Sequence, residues 1–163
     1  CRPGNCHFRG SGNRTDTPRE RRLEMPAFEA RLCREVIDTE AARSWLTDDA
    51  CGAIHLFCGV VRDLNRDRSV TRIEYHAHES LALRSLEKIV EGLVQSGAKK
   101  AIAIHRLGML EVGETSILLG VSLPHRKEGF ALLERGMLEI KADVAVWKHE
   151  HYTDGPPEWI EGS

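Results

Sequence analysis

Apolar residues recur along this chain with two different periods, one typical of helices and one typical of strands. Between residues 80 and 95 the spacing is three or four residues, at Leu83, Leu86, Val90 and Leu93. That spacing predicts an amphipathic helix. A second stripe predicts a helix over about 127–142, and its members are Phe130, Leu133, Met137 and Ile140. Each helix is therefore expected to bury one face.

Shorter apolar runs, bounded by turns or charged residues, predict strands. They cover residues 31–38, 52–62, 70–78, 100–108, 116–123 and 144–147. Asp38 or Thr39 is suited to N-cap a short helix over 40–46, and the charged stretch 63–69 is predicted to be a loop. Because strands and helices are interspersed and several strands form hairpin-like pairs, we predict an α+β fold.

The first 26 residues differ in composition from the rest of the chain. They are rich in Gly, Arg, Asn, Thr and Pro, and residues 1–24 carry six arginines against three acidic residues, although the formal net charge of the 163-residue chain is −2. We predict that residues 1–26 are a disordered basic tail or leader and that residues 27–163 form one domain. A solvated extension is the favoured interpretation of the tail, and contact with nucleic acid is the alternative.

The cysteines and the apolar runs bear on where the protein acts. The five cysteines, at positions 1, 6, 33, 51 and 58, are odd in number and lack CxxC spacing. That pattern favours reduced thiols in a cytoplasmic protein over a disulfide framework. No apolar run approaches the roughly 18 residues of a membrane span, so no membrane association is expected.

The stretch VWKHEHY, residues 146–152, first suggests a metal site. On an extended strand, His149 and His151 point to the same side, and such a pair can bind a metal. His76 and His78 form a second pair of the same spacing. A catalytic zinc site needs three protein ligands, and the chain has no HExxH motif. The sequence alone therefore favours polar surface histidines over a metal site.

Four cationic residues lie near the ends of predicted elements and suggest a pocket for an anionic small molecule. Arg62 follows a strand, and Arg126, with His125, precedes a helix whose free N–H groups suit phosphate or carboxylate. Lys141 and Lys148 lie beside apolar segments, where partial desolvation can make a lysine a nucleophile or an acid–base group. Taken singly, each is better explained as a solvated or snorkelling side chain, and only the four together favour a pocket.

Five ordered blocks carry a resemblance to a known family. They are FCGVVRDLNRDRSVTRIEYHAHESLA, IAIHRLGMLEVGE, VSLPHRKEGF, EIKADVAVWKHEHYTDG and WIEG. In order and spacing they resemble the large, catalytic subunit of molybdopterin synthase over about residues 28–162. The resemblance implies an α+β fold with an α/β-hammerhead part, a homodimer, and a small ubiquitin-like sulfur-carrier subunit on each protomer, giving a heterotetramer.

The resemblance also implies a reaction. The C-terminal glycine of the small subunit carries a thiocarboxylate, which enters a pocket of the large subunit. Its sulfur is transferred, in two rounds, to cyclic pyranopterin monophosphate (precursor Z), and the product is the dithiolene of molybdopterin. The family uses no metal or organic cofactor in the large subunit, so none is expected here.

Residue roles carry over by position. Lys141 matches a lysine beside the inserted glycine tail, with a role in acyl transfer, and Lys148 matches a lysine that binds substrate and assists as acid or base. The residues that match substrate-binding positions are Phe57, Val60, Val61, Arg62, His125, Arg126, His149 and Glu150. His125 and Arg126 are expected to reach the substrate from the other protomer of the dimer.

One departure and one alternative accompany the resemblance. Cys58 stands where threonine is common in the family, and it is not expected to carry sulfur, since the sulfur comes from the partner. The alternative function is a non-catalytic relative that only binds the sulfur-carrier subunit. Retention of both Lys141 and Lys148 favours the enzyme.

Overall fold

The computed structural model describes residues 26–160, which form three helices and nine strands. The helices are α1 (Thr39–Leu46), α2 (Glu79–Gln95) and α3 (Gly129–Asp143). The strands are β1 (Phe28–Cys33), β2 (Ala53–Val60), β3 (Leu64–Asn65), β4 (Arg68–Ala77), β5 (Lys100–Arg106), β6 (Gly108–Glu111), β7 (Thr115–Leu123), β8 (Val146–Tyr152) and β9 (Glu158–Ile160). The predicted tail, except for its last residue, lies outside the described residues.

The strands form two sheets, so the α+β prediction is confirmed. The first sheet has the order β1-β5-β7-β2; its β1–β5 pair is parallel and its other pairs are antiparallel. The second sheet is antiparallel and centres on β4, which pairs with β3, β6 and β8, while β9 extends it beyond β8. This second sheet carries the candidate site.

Helices α2 and α3 pack against the first sheet and close the main core. The core includes Leu86 and Leu93 of α2, Leu119 of β7 and Ile140 of α3, all fully buried. Helix α3 comes close to β7 at Gly136, where a β-carbon would lie 2.9 Å from Leu119 Cδ2. A larger residue there would require either the Leu119 side chain or α3 to shift, and a shift of α3 would also move the last turn that carries Lys141.

Local sequence signals were accurate for α1 and less so for several strands. The Asp38 side chain accepts hydrogen bonds from the backbone N–H groups of Glu40 and Ala41, at 3.0 and 2.8 Å, so the predicted N-cap is confirmed. Strand β8 continues to Tyr152, well beyond the predicted end at residue 147. It does so because β4 supplies backbone partners along the whole polar stretch, a non-local effect that periodicity does not detect.

Candidate active site

A small polar cavity lies between the end of β2 and the face of the β4–β8 sheet. Its volume is about 50 Å³. The residues that line it are Val60, Val61, Arg62, Leu64, Asn65, Val70, Ile73, Tyr75, Lys148 and Glu150. Five of the ten residues predicted from the sequence therefore meet here: Val60, Val61, Arg62, Lys148 and Glu150.

Strand β2 delivers Arg62 to this cavity through a break in regular pairing. The β2–β7 register shifts between Gly59 and Val60, and such irregularities redirect the chain at the edge of a sheet. The segment that follows is held by two backbone hydrogen bonds, in which Val61 N–H donates to Glu114 O at 3.0 Å and Gly113 N–H donates to Val61 O at 2.8 Å. Arg62 is thus attached to a fixed backbone position.

Glu150 is the buried anchor of the cavity, with 1% of its side chain exposed. Asn65 Nδ2 and the Tyr152 hydroxyl each donate a hydrogen bond to Glu150 Oε2 at 2.8 Å. Lys148 Nζ lies 3.3 Å from Glu150 Oε1. Burial acts to raise the pKa of Glu150, but the two hydrogen bonds and the Lys148 charge outweigh it and hold the pKa below its usual value. The carboxylate is therefore ionised at neutral pH.

Strand alternation places His149 away from this cavity. Lys148 and Glu150 point to one face of β8, whereas His149 and His151 point to the other. The cross-strand partner of His149 on β4 is Glu74, and its neighbour on β9 is Trp159, whose ring stacks on the His149 imidazole with centroids 4.5 Å apart. In this conformation His149 is not grouped with Lys148, and its predicted role in substrate binding stays a prediction.

Lys141 lies in a second, more open cavity, which is lined by α3 and by Phe57 of β2. This groove has a volume of about 260 Å³ and is mostly apolar. Its lining residues are Phe57, Leu133, Glu134, Met137, Leu138 and Lys141. Lys141 occupies the last turn of α3, where the helix dipole favours a cation. The structure thus brings Phe57 and Lys141 together, in a different cavity from Lys148.

His125 and Arg126 lie in the exposed turn between β7 and α3. Helix α3 begins at Gly129, about two residues after the predicted start, and its N-cap Glu128 makes no side-chain cap hydrogen bond. Neither His125 nor Arg126 is among the residues that line the two cavities described above. Within one chain, the structure therefore does not join them to either lysine.

Several residues of the site were not singled out from the sequence. Tyr152 had a detectable signal, because it is two residues from Glu150 on a strand and must share its face. Asn65 had none: it belongs to the predicted loop 63–69, which turns back through Arg66 and Asp67, both at positive φ, to form the β3–β4 hairpin. Its contact with Glu150 spans 85 positions of the chain.

One group of side chains on the opposite face of β8 has the composition of a metal site. One ligand atom from each of Glu74, His149 and His151 lies within 4.8 Å of the other two. The pKa of His151 is lowered by partial burial and by the nearby charge of Arg72, so its imidazole is neutral at neutral pH. This is the one such group that the structure reveals between residues 26 and 160.

Comparison with known proteins gives the family. The family model described as "MoaE protein" matches residues 32–143. The chain belongs to the MoaE family. The molybdopterin synthase catalytic subunit of Dictyostelium discoideum is 33% identical over 135 residues, covering 81% of this chain and 85% of its relative.

No helix within residues 26–160 is long and apolar enough to cross a membrane.

Solved structures agree with the fold of this MoaE chain. Molybdopterin synthase from Staphylococcus aureus superimposes with a TM-score of 0.75 at 30% identity, covering 83% of this chain and 98% of that one. The fold expected from the resemblance is thereby confirmed. A complex of subunits 1 and 2 of the molybdopterin-converting factor from Helicobacter pylori has a chain with a TM-score of 0.66 at 21% identity, covering 81% and 88% of the two chains, which supports the fold alone.

Proposed function

We propose that this chain is the catalytic subunit of molybdopterin synthase, a sulfurtransferase of molybdenum cofactor biosynthesis. It takes sulfur from the thiocarboxylated C-terminus of a small ubiquitin-like subunit and transfers it to cyclic pyranopterin monophosphate, building the molybdopterin dithiolene. The observation that carries the proposal is a cavity in a MoaE chain that contains Arg62, Lys148 and an ionised, buried Glu150.

Lys148 is the proposed acid–base and substrate-binding group. Its ammonium lies 3.3 Å from Glu150 Oε1, with 18% of the side chain exposed. The carboxylate orients Lys148, and the exposed part of the lysine side chain faces the cavity. Together with Arg62, it offers cationic donors to an anionic substrate. A proton from Lys148 then assists the step in which charge develops on the substrate or on the acyl group.

The cavity of about 50 Å³ is too small for a whole pterin phosphate, since ligand pockets typically measure about 300–1,000 Å³. We therefore propose that it holds only one end of the substrate. His125 and Arg126 are exposed and separate from the cavity within one chain. Supplied by the second protomer of a homodimer, they would complete the site and bind the phosphate, as the resemblance implies.

The groove beside Lys141 is the proposed entry for the small subunit's C-terminal tail. It is open and apolar, and Phe57 and Leu138 on its walls are 40% and 64% exposed. An extended glycine tail fits such a groove, with the thiocarboxylate near the Lys141 ammonium. In each round the thiocarboxylate sulfur bonds to a substrate carbon as the carbon–oxygen bond that it replaces breaks, and the departing oxygen takes up a proton. Water then cleaves the acyl–sulfur bond, which leaves the sulfur on the substrate and returns the partner as a carboxylate. Lys141 would stabilise the acyl oxygen as its negative charge develops.

The decisive experiment combines this protein with thiocarboxylated small subunit and precursor Z. We expect molybdopterin to form. Absence of product, under conditions in which an authentic large subunit is active, would contradict the proposal. If the small subunit still bound without turnover, the chain would instead be a binding module for the sulfur carrier.

We further propose a cytoplasmic location for this reaction. The cysteines within the described residues, Cys33, Cys51 and Cys58, are all free thiols. Burial raises the pKa of Cys33 and of Cys58, so both thiols stay protonated at neutral pH and are poor nucleophiles. This supports a reducing compartment and argues against Cys58 as a sulfur carrier.

A further inference from the structure

We propose that Glu74, His149 and His151 form a binding site for a divalent transition metal, with zinc as the best-fitting ion. Two imidazole nitrogens and one carboxylate oxygen are a recognised zinc donor set, which leaves one coordination position open. The site lies on the face of β8 that points away from Lys148. It goes beyond the sulfur-transfer function and does not depend on it.

The strands bring the three donors together without a special loop. Glu74 of β4 is the direct cross-strand partner of His149 of β8, and His151 is two residues further along the same face. Their ligand atoms lie within 4.8 Å of one another. Tetrahedral ligands at zinc distances are about 3.3 Å apart, so small side-chain rotations bring the three atoms onto one ion.

The surroundings of these donors leave one buried nitrogen atom, Nε2 of His151, without a partner among the described residues. The Nε2 atoms of His151 and His76 are shielded from solvent and make no hydrogen bond with any residue in the described part of the chain. His76 Nε2 lies 3.4 Å from Glu74 Oε1. A metal bound by Glu74 would give His151 its missing partner, while His76 could steady the carboxylate.

Trp159 and several charged residues surround the three proposed ligands. The Trp159 indole stacks on His149 at 17° and meets His76 edge-on at 5.1 Å, so β9 covers one side of the cluster. Arg72 is the cross-strand partner of His151, and Glu111 of β6 is the partner of Arg72 on its other side. This register places two carboxylates, Glu74 and Glu111, beside the single positive charge of Arg72, which favours binding of a cation.

The test is zinc titration of the full, tag-free chain by calorimetry, with visible absorption of bound Co²⁺ as a report of coordination by nitrogen and oxygen. We expect one equivalent to bind at this site and to raise the thermal unfolding midpoint. His151→Gln should weaken binding by more than about tenfold, because loss even of a group that only supports a ligand costs 10–100-fold. Glu74→Gln is the second variant, in case His151→Gln disturbs the strand.

His78→Gln is the matched control. His78 is an exposed histidine that precedes α2 and is not in the cluster. The His78→Gln variant should therefore bind zinc like the wild type. Cys1, Cys6 and His7 can bind metal by themselves, and they are present in every variant, so only differences between variants count. Equal zinc affinity in wild type, His151→Gln and Glu74→Gln, or no binding in any of them, would overturn the site. Molybdopterin formation is measured separately, so failure of either proposal is recognised independently.

Discussion

Lys148 and Lys141, the two lysines proposed to act in sulfur transfer, occupy opposite surroundings. Lys148 extends from a strand into a small polar cavity and is ion-paired with a buried carboxylate. Lys141 projects from the last turn of a helix into an open apolar groove, where it is exposed. The protein alone fixes the position of Lys148, whereas Lys141 depends on what fills its groove. Changes at the two positions should therefore separate stability from activity.

The largest expected effect is that of Lys148→Ala, because it damages both properties. Activity should fall by about 10²–10⁴-fold through loss of an acid–base group. The free energy of unfolding should fall by about 1–3 kcal/mol, because Glu150 would keep its two hydrogen bonds but lose its counter-charge. Urea unfolding measures the change in the free energy of unfolding, and the molybdopterin assay measures the change in activity.

Lys148→Arg is the control for Lys148→Ala, because it keeps a positive charge and should restore part of the stability. An unchanged unfolding curve for Lys148→Ala would contradict the ion-pair interpretation.

Lys141→Ala should produce a loss of activity alone. Turnover is expected to fall at least about a hundredfold, while thermal unfolding stays close to that of the wild type, since an exposed side chain at a helix end contributes little. Lys88→Ala, which removes an exposed lysine from α2, is the matched control and should leave both unchanged. Turnover of Lys141→Ala at the wild-type rate would refute the role given to this lysine.

The smallest effect is a change in the acid sensitivity of the fold. Because the folded-state pKa of Glu150 lies below its usual value, its stabilising contribution is full above about pH 4.5 and is lost as the pH falls through the folded-state pKa. In Glu150→Gln this contribution is absent at every pH. Between about pH 5 and pH 3, the free energy of unfolding should therefore fall more steeply in the wild type than in the variant. Parallel curves would show that Glu150 is not held in its ionised form by the fold.

The sequence alone determined much of the fold and part of the site, for identifiable reasons. The amphipathic helices and the Asp38 cap depend on neighbours within a few residues, so periodicity and capping rules found them. Positions at the ends of predicted elements suggested that Arg62 and Lys148 share a pocket, and the family resemblance assigned their roles. Their place in one cavity depends on how β2 meets the second sheet.

The features that the sequence did not predict depend on contacts between residues far apart in the chain. Strands β3, β6 and β9 are two to four residues long and exist only because β4 and β8 supply partners. Asn65 reaches Glu150 from such a hairpin. From the sequence, His149 and His151 were considered as metal ligands, but a metal site was not favoured because a third ligand was missing. Glu74 was missed because it belongs to a different strand, and only the β4–β8 register brings it near.

The register between β4 and β8 also bears on how this chain tolerates insertions and deletions. Side chains of a strand alternate between faces, so a slip of one residue exchanges the two faces completely. Lengthening the connection 144–145 by one residue, with the strand re-pairing, would direct the histidines into the cavity and move Lys148 to the opposite face. Two added residues would leave every side chain of β8 on its present face of the sheet. The short connection between α3 and β8 should therefore accept changes in length only in even steps, although it contacts no substrate itself.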